Sequence, residues 1–207
     1  MSDAMNDQYF SEQPGSASDP VSYRLAIGDV ALELTTDSGV FARGRLDKGT
    51  RVLLENAPEP AEGDLLDLGC GYGPIALWLA AQRPASTVWA VDVNDRALDL
   101  VRANASAARL ANVRACRPDE VPDDVRFAQM WSNPPIRSGK AALHELLLRW
   151  LPRVDGESYL VVSKNLGSDS LARWLVEQGH PTSRLSSHAG FRVLAVEGAV
   201  EGSEGVS

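Results

Sequence analysis

The chain has 207 residues, 44% of them apolar and 23% charged, which suits one ordinary globular domain with tails. No apolar run approaches the ~18–20 residues of a membrane span, and "MSDAMNDQYF" lacks the basic-then-apolar pattern of a signal peptide, so a cytoplasmic protein without membrane contact is expected. A formal net charge of −8 excludes attachment to nucleic acid by bulk positive charge, because phosphate neutralisation needs clustered Lys and Arg.

In chain order, residues 1–20 are rich in Ser, Asp, Gln and Pro and are expected to form a disordered tail. "SYRLAIGDVALELTTD" shows two alternating runs around Gly28-Asp29, the pattern of a β-hairpin with a two-residue turn. "RLDKGTRVLLENA" predicts a short helix with Asp47 as N-cap. From Asp64 onward strands and helices alternate. "DLLDLG", "TVWAVDV", "NVRAC", "FAQMWS" and "SYLVVSK" read as strands, with the helices "PIALWLAAQR", "DRALDLVRANASAARL", "GKAALHELLLRWL" and "SDSLARWLVEQG" among and after them. "TSRLSS" and "FRVLAVE" supply two last strands, and residues 198–207 a second disordered tail, leaving one domain over 21–197. This alternation implies an α/β fold with a mainly parallel, doubly wound sheet, in which ligands bind beyond the carboxyl ends of the strands.

Three features fall at such ends. "DLGCGYGP" places Gly69, Gly71 and Gly73 between a strand and a helix, where a loop without side chains lets a ligand lie against the backbone; a turn alone would also use glycine. Asp92 ends the next strand about 23 residues on, where a carboxylate can accept hydrogen bonds from both hydroxyls of a ribose. The spacing is G-x-G-x-G rather than the dinucleotide G-x-G-x-x-G. Asp67 beside the loop would repel a pyrophosphate but suits an ammonium or sulfonium centre.

The third feature is "SNPPI". As a bland reading it terminates a strand. As a site, the Asn133 side-chain oxygen and the Pro134 carbonyl are two acceptors on a corner that Pro134 and Pro135 make rigid. An exocyclic amino group attached to a ring is a poor nucleophile because its lone pair is delocalised. Two acceptors taking its two N–H groups would localise that pair and aim it. Such a transfer needs no metal and no nucleophilic side chain. Cys70 and Cys116 form neither a disulfide framework nor a ligand cluster, and free thiols are expected. His144, His180 and His188 belong to no motif.

The string D-x-G-x-G-x-G followed by Asp92 resembles motifs I and II of class I S-adenosylmethionine-dependent methyltransferases, and "SNPPI" resembles the (Asn/Asp)-Pro-Pro motif of those acting on planar amino nitrogens: adenine N6, guanine N2 or the amide of glutamine. The longer "SNPPIRSGK", with "SGVFARGRLDKGTRVLLE" and "KNLGSDSLARWL", is similar to the small-subunit ribosomal RNA guanine-N2 methyltransferase family over Tyr23 to Glu197. Some members of that family are two-domain proteins whose catalytic half is about this size, and others are single-domain, the type this chain is expected to be. The resemblance implies a Rossmann-like, seven-stranded, mainly parallel sheet with an antiparallel last strand. It implies S-adenosylmethionine as cofactor, and ribosomal RNA or the small ribosomal subunit as partner and substrate. Asn133, Pro134 and Pro135 would be catalytic, and Asp67, Gly69, Gly71, Gly73, Asp92, Asn94 and Asp119 would bind the cofactor. Ile136, Arg137, Lys140 and Phe41 would meet the substrate. Ile136 stands where adenine-N6 and glutamine enzymes often carry an aromatic, so stacking on the target would fall to Phe41 or Tyr72.

Several positions carry two readings. Asn94 is either a ribose contact or the N-cap of the next helix, and Ser138 a cap for the helix that Lys140 opens. Arg43, Arg45, Lys48 and Arg51, and separately Arg137 and Lys140, are solvated faces or contacts to substrate phosphate. The oligomeric state is open, with a monomer the simplest expectation.

Overall fold

The computed structural model describes residues 17–135 and 139–198. The segments expected as tails therefore fall mostly outside the described residues, at 1–16 and 199–207; within 17–20, Ser18 and Asp19 are hydrogen-bonded to Asp37.

The chain opens with an antiparallel hairpin of β1 (Val21–Ile27) and β2 (Val30–Thr36), turning at Gly28-Asp29. Helix α1 (Lys48–Asn56) follows, with the Asp47 side chain accepting from the Thr50 N–H as its N-cap. Then come β3 (Leu65–Leu68), α2 (Pro74–Gln82), β4 (Val88–Val91), α3 (Asp95–Ala107), β5 (Val113–Cys116) and β6 (Gln129–Ser132). Helix α4 (Lys140–Trp150), β7 (Glu157–Ser163), α5 (Ser168–Glu177), β8 (Thr182–His188) and β9 (Phe191–Glu197) complete the fold. The residue before α4 is Gly139, without a side-chain cap; Ser138, expected there as the cap, lies outside the described residues.

Seven strands form one sheet in the order β5-β4-β3-β6-β7-β9-β8. Strands β5, β4, β3, β6 and β7 are parallel, and β9 runs antiparallel to both β7 and β8, so the last strand in sequence is the reversed one. All four residues of β3, of β4 and of β6 are buried, as expected of strands covered on both faces. Period-two alternation splits them between two cores. Leu65, Val88, Ala90 and Trp131 face α1–α3, whereas Leu66, Trp89, Val91 and Met130 face α4 and α5.

Helix α2 departs from the amphipathic norm, with Pro74 through Ala80 buried all round. The hairpin explains this, because it covers the outer side of α2; the Trp78 indole donates to the Ile27 carbonyl at 3.4 Å. Asn104 on α3 exchanges two hydrogen bonds with the backbone of Thr35, fixing the hairpin to the body. The chain then runs from the hairpin to α1 past the carboxyl ends of the strands. The sheet order reverses between β3 and β6, and the cavity described next opens there.

Candidate active site

Strand β3 passes into α2 through the glycine loop. Gly71 has φ of +53° and Gly73 of +92°, and both are in the left-handed region that glycine enters without strain. A Cβ on Gly73 would sit 3.0 Å from Val101 Cγ2, whereas one on Gly71 would meet nothing within 4 Å because that face is open. The Gly71 N–H donates to Asp92 Oδ2 at 2.8 Å and the Asn94 N–H to Asp92 Oδ1 at 3.0 Å, so backbone alone orients the strand-end carboxylate. Burial raises the Asp92 carboxyl above the usual range, against the lowering effect of these N–H donors. Asn94 caps α3 by accepting from the Ala97 N–H, and its amide donates to the Gly39 carbonyl. Both of its expected roles thus meet at one residue, since it also lines the cavity.

Asp67 is fully buried behind the loop. Its Oδ2 accepts from the Ala76 N–H at 2.9 Å in the first turn of α2, and its Oδ1 has no partner among the described residues. Desolvation pushes its carboxyl up to about 8, with the nearby Asp92 adding in the same direction and the Ala76 hydrogen bond opposing.

The acceptor corner lies one strand away. Ser132 Oγ donates to the Leu68 carbonyl at 2.6 Å, tying the end of β6 to the end of β3. Pro135 Cδ would be 3.6 Å from a Cβ on Gly69, so the two motifs touch across the switch point. The Asn133 amide nitrogen donates to Asp47 Oδ2 at 2.8 Å and to Thr50 Oγ1 at 3.0 Å, both from the start of α1.

These groups line one cavity of about 410 Å³, within the size range of small-molecule sites. Of the residues expected from sequence, Gly69, Gly71, Asp92, Asn94, Asn133, Pro134, Pro135 and Phe41 line it. Asp67 and Gly73 stand behind its wall, holding the start of α2. Asp119 does not reach it: its side chain is exposed on the surface near Arg117, and Pro118 lines the cavity instead. Lys140 borders a neighbouring groove with His144, Gly167 and Ser170. Ile136 and Arg137 lie outside the described residues. Sequence reasoning missed Phe191 and Ser163, at the β9 and β7 ends, and saw Asp47 only as a helix cap. Tyr72 lines the cavity, but its hydroxyl is bonded to the Tyr23 hydroxyl at 2.7 Å and donates to the Arg45 carbonyl.

Among the described lining residues the charged side chains are Asp47 and Asp92, with no Lys or Arg. That polarity disfavours a pyrophosphate and favours a cationic ligand with a ribose, and the residues present fit S-adenosylmethionine. Cys70 also lines the cavity, but burial raises its thiol well above the ordinary value, so it is not poised as a nucleophile. Among the described residues no group of three or more His, Cys, Asp or Glu is placed to hold a metal, and no helix is long and apolar enough to cross a membrane.

Known proteins resemble this chain in sequence and in fold. The family described as "Methyltransferase small domain" matches residues 31–195. The chain belongs to that family. Among curated relatives of the family, the uncharacterised protein YbxB of Bacillus subtilis is 33% identical over 92% of this chain and 98% of its own length. Ribosomal RNA small subunit methyltransferase C of Psychromonas ingrahamii is 37% identical over 58% of this chain and 34% of its own. The solved T. thermophilus 16S rRNA N2 methyltransferase (RsmC), in complex with AdoMet and guanosine, superposes with a TM-score of 0.76 at 25% identity. That superposition covers 89% of this chain and 52% of the T. thermophilus one, so the chain spans about half of that protein.

Proposed function

We propose that the protein is an S-adenosylmethionine-dependent methyltransferase acting on the exocyclic N2 amino group of a guanine in small-subunit ribosomal RNA. The carrying observation is that Asn133, Pro134 and Pro135 line the same 410 Å³ cavity as Gly69, Gly71 and Asp92. The cofactor, when bound, would supply an electrophilic methyl on a sulfonium, with a neutral thioether as the leaving group. The chain's own residues do the rest. Asp92 accepts the ribose hydroxyls, and the glycine loop admits the ligand against the backbone. Asn133 Oδ1 and the Pro134 carbonyl take the two amino N–H groups, so the nitrogen lone pair is free to form the new N–C bond as the C–S bond breaks. The nitrogen then carries a positive charge and releases one proton to solvent. Phe41 and Phe191 give the target base apolar walls, and Lys140, beside the neighbouring groove, is a candidate contact to the surrounding RNA. Such a substrate puts the protein's work in the cytoplasm.

The T. thermophilus N2 methyltransferase with its guanosine supports guanine as the target, and the ribosomal RNA small subunit methyltransferase relatives support small-subunit RNA. Purified protein, labelled cofactor and undermethylated small-subunit RNA or particles should yield N2-methylguanosine on nucleoside analysis. Label in N6-methyladenosine or in protein glutamine would transfer the reading to those nitrogens. No label in any product would end it.

A further inference from the structure

We infer that Asp47 and Thr50 at the start of α1 are positioning residues that fix which face of the Asn133 amide the target nitrogen meets. The inference rests on the reading of Asn133 as an acceptor for that nitrogen. An amide has one acceptor end and one donor end of nearly equal shape, and a free Asn133 would present either. Presented the wrong way, its NH₂ would face the amino group of the substrate, donor against donor.

The neighbours remove the ambiguity. A carboxylate can only accept, and Asp47 Oδ2 lies 2.8 Å from the amide nitrogen; Thr50 Oγ1 accepts the second N–H at 3.0 Å. Both donors are thereby consumed, and Oδ1 has no partner among the described residues although Asn133 lines the cavity. Asp47 Oδ2 is itself held by the Thr50 N–H at 3.0 Å, so one cap anchors the helix and the amide together. Gly49 leaves no slack beside it: a Cβ there would stand 3.0 Å from both Asp47 Oδ2 and the Phe191 ring. The arrangement also accounts for an amide rather than an acid at 133, since a carboxylate would face Asp47 across 2.8 Å.

The test separates this role from helix capping. Serine caps as well as aspartate but is too short to reach Asn133. Asp47→Ser should keep the helix cap and a melting temperature close to wild type, while the single-turnover transfer rate at saturating cofactor falls about 10–100-fold, the loss typical of a charge-assisted hydrogen bond. Asn133→Asp should be at least as slow. In parallel, the Asn133 side-chain N–H resonances, assigned by their disappearance in Asn133→Asp, should be protected from solvent exchange in wild type and exposed in Asp47→Ser. Wild-type rates in Asp47→Ser or unprotected amide protons in wild type would overturn the inference. The exchange readout needs no turnover. A protected amide in a protein that methylates nothing would sink the proposed reaction while leaving the orientation by Asp47 standing.

Discussion

The two halves of the cavity are held by different means. On the cofactor side, Asp92 is fixed by the backbone N–H groups of Gly71 and Asn94, which lie within 21 residues of it. On the acceptor side, Asn133 is fixed by side chains 86 and 83 residues earlier in the chain. Backbone support tolerates changes of side chain and fails when a glycine is lost. Side-chain support tolerates changes of loop conformation and fails when one polar atom is lost. The halves should therefore break in different observables.

The largest effect is expected at the acceptor. Asn133→Ala should lower the transfer rate by about 10²–10³-fold, as for loss of one preorganised electrostatic contact, with cofactor affinity measured by calorimetry nearly unchanged. Asp92→Ala should do the reverse, weakening cofactor binding about 10–100-fold by removing a charged acceptor, with less effect at saturating cofactor. If the two variants exchange phenotypes, the halves are assigned the wrong way round. Next comes Gly73→Ala, which combines φ of +92° with a Cβ 3.0 Å from Val101; thermal unfolding should show a loss of about 1–3 kcal/mol. Gly71→Ala, at φ of +53° with open space around its Cβ, should lose less stability than Gly73→Ala.

A separate test is the pH dependence of stability without cofactor. The Asp67 carboxyl sits at about 8 in the native protein and near its ordinary 3.8 in the unfolded chain, so between these values the native state holds a proton that the unfolded state has released. Its contribution is fully present below about pH 4 and is lost as pH rises toward 8. Melting temperatures should accordingly fall across that window, and Asp67→Asn should flatten the slope. Parallel slopes for the two proteins would show that Asp67 does not titrate there.

The same contrast explains what the sequence could disclose. The glycine loop and Asp92 form a local motif: the chemistry, the turn and the strand end lie in one stretch, and the expected loop and carboxylate are where the structure has them. Strand and helix order was legible because buried parallel strands are continuous apolar runs bounded by turns. The Asp47–Asn133 contact was not, because Asp47 carries a complete local explanation as a helix cap, and nothing in its neighbourhood signals a second duty. Phe191 was hidden for another reason. It begins a strand whose alternating pattern fits simple packing, and only the insertion of β9 beside β7 brings it opposite Ser163 at the cavity. Asp119 erred in the opposite direction: an acidic run offered a candidate at the right distance in sequence, but the β5 turn sends its side chain to solvent and presents Pro118.

The insertion of β9 also sets an order in time. Strand β8 pairs with β9 and β9 with β7, so β8 has no partner in the sheet until residues 191–197 have been made. A growing chain can form β3, β4 and the glycine loop early, yet the cavity acquires its Phe191 wall only with that final strand. The Phe191 side is thus the last part of the cavity wall to leave the ribosome, and it takes its place together with the strand that joins β8 to the sheet.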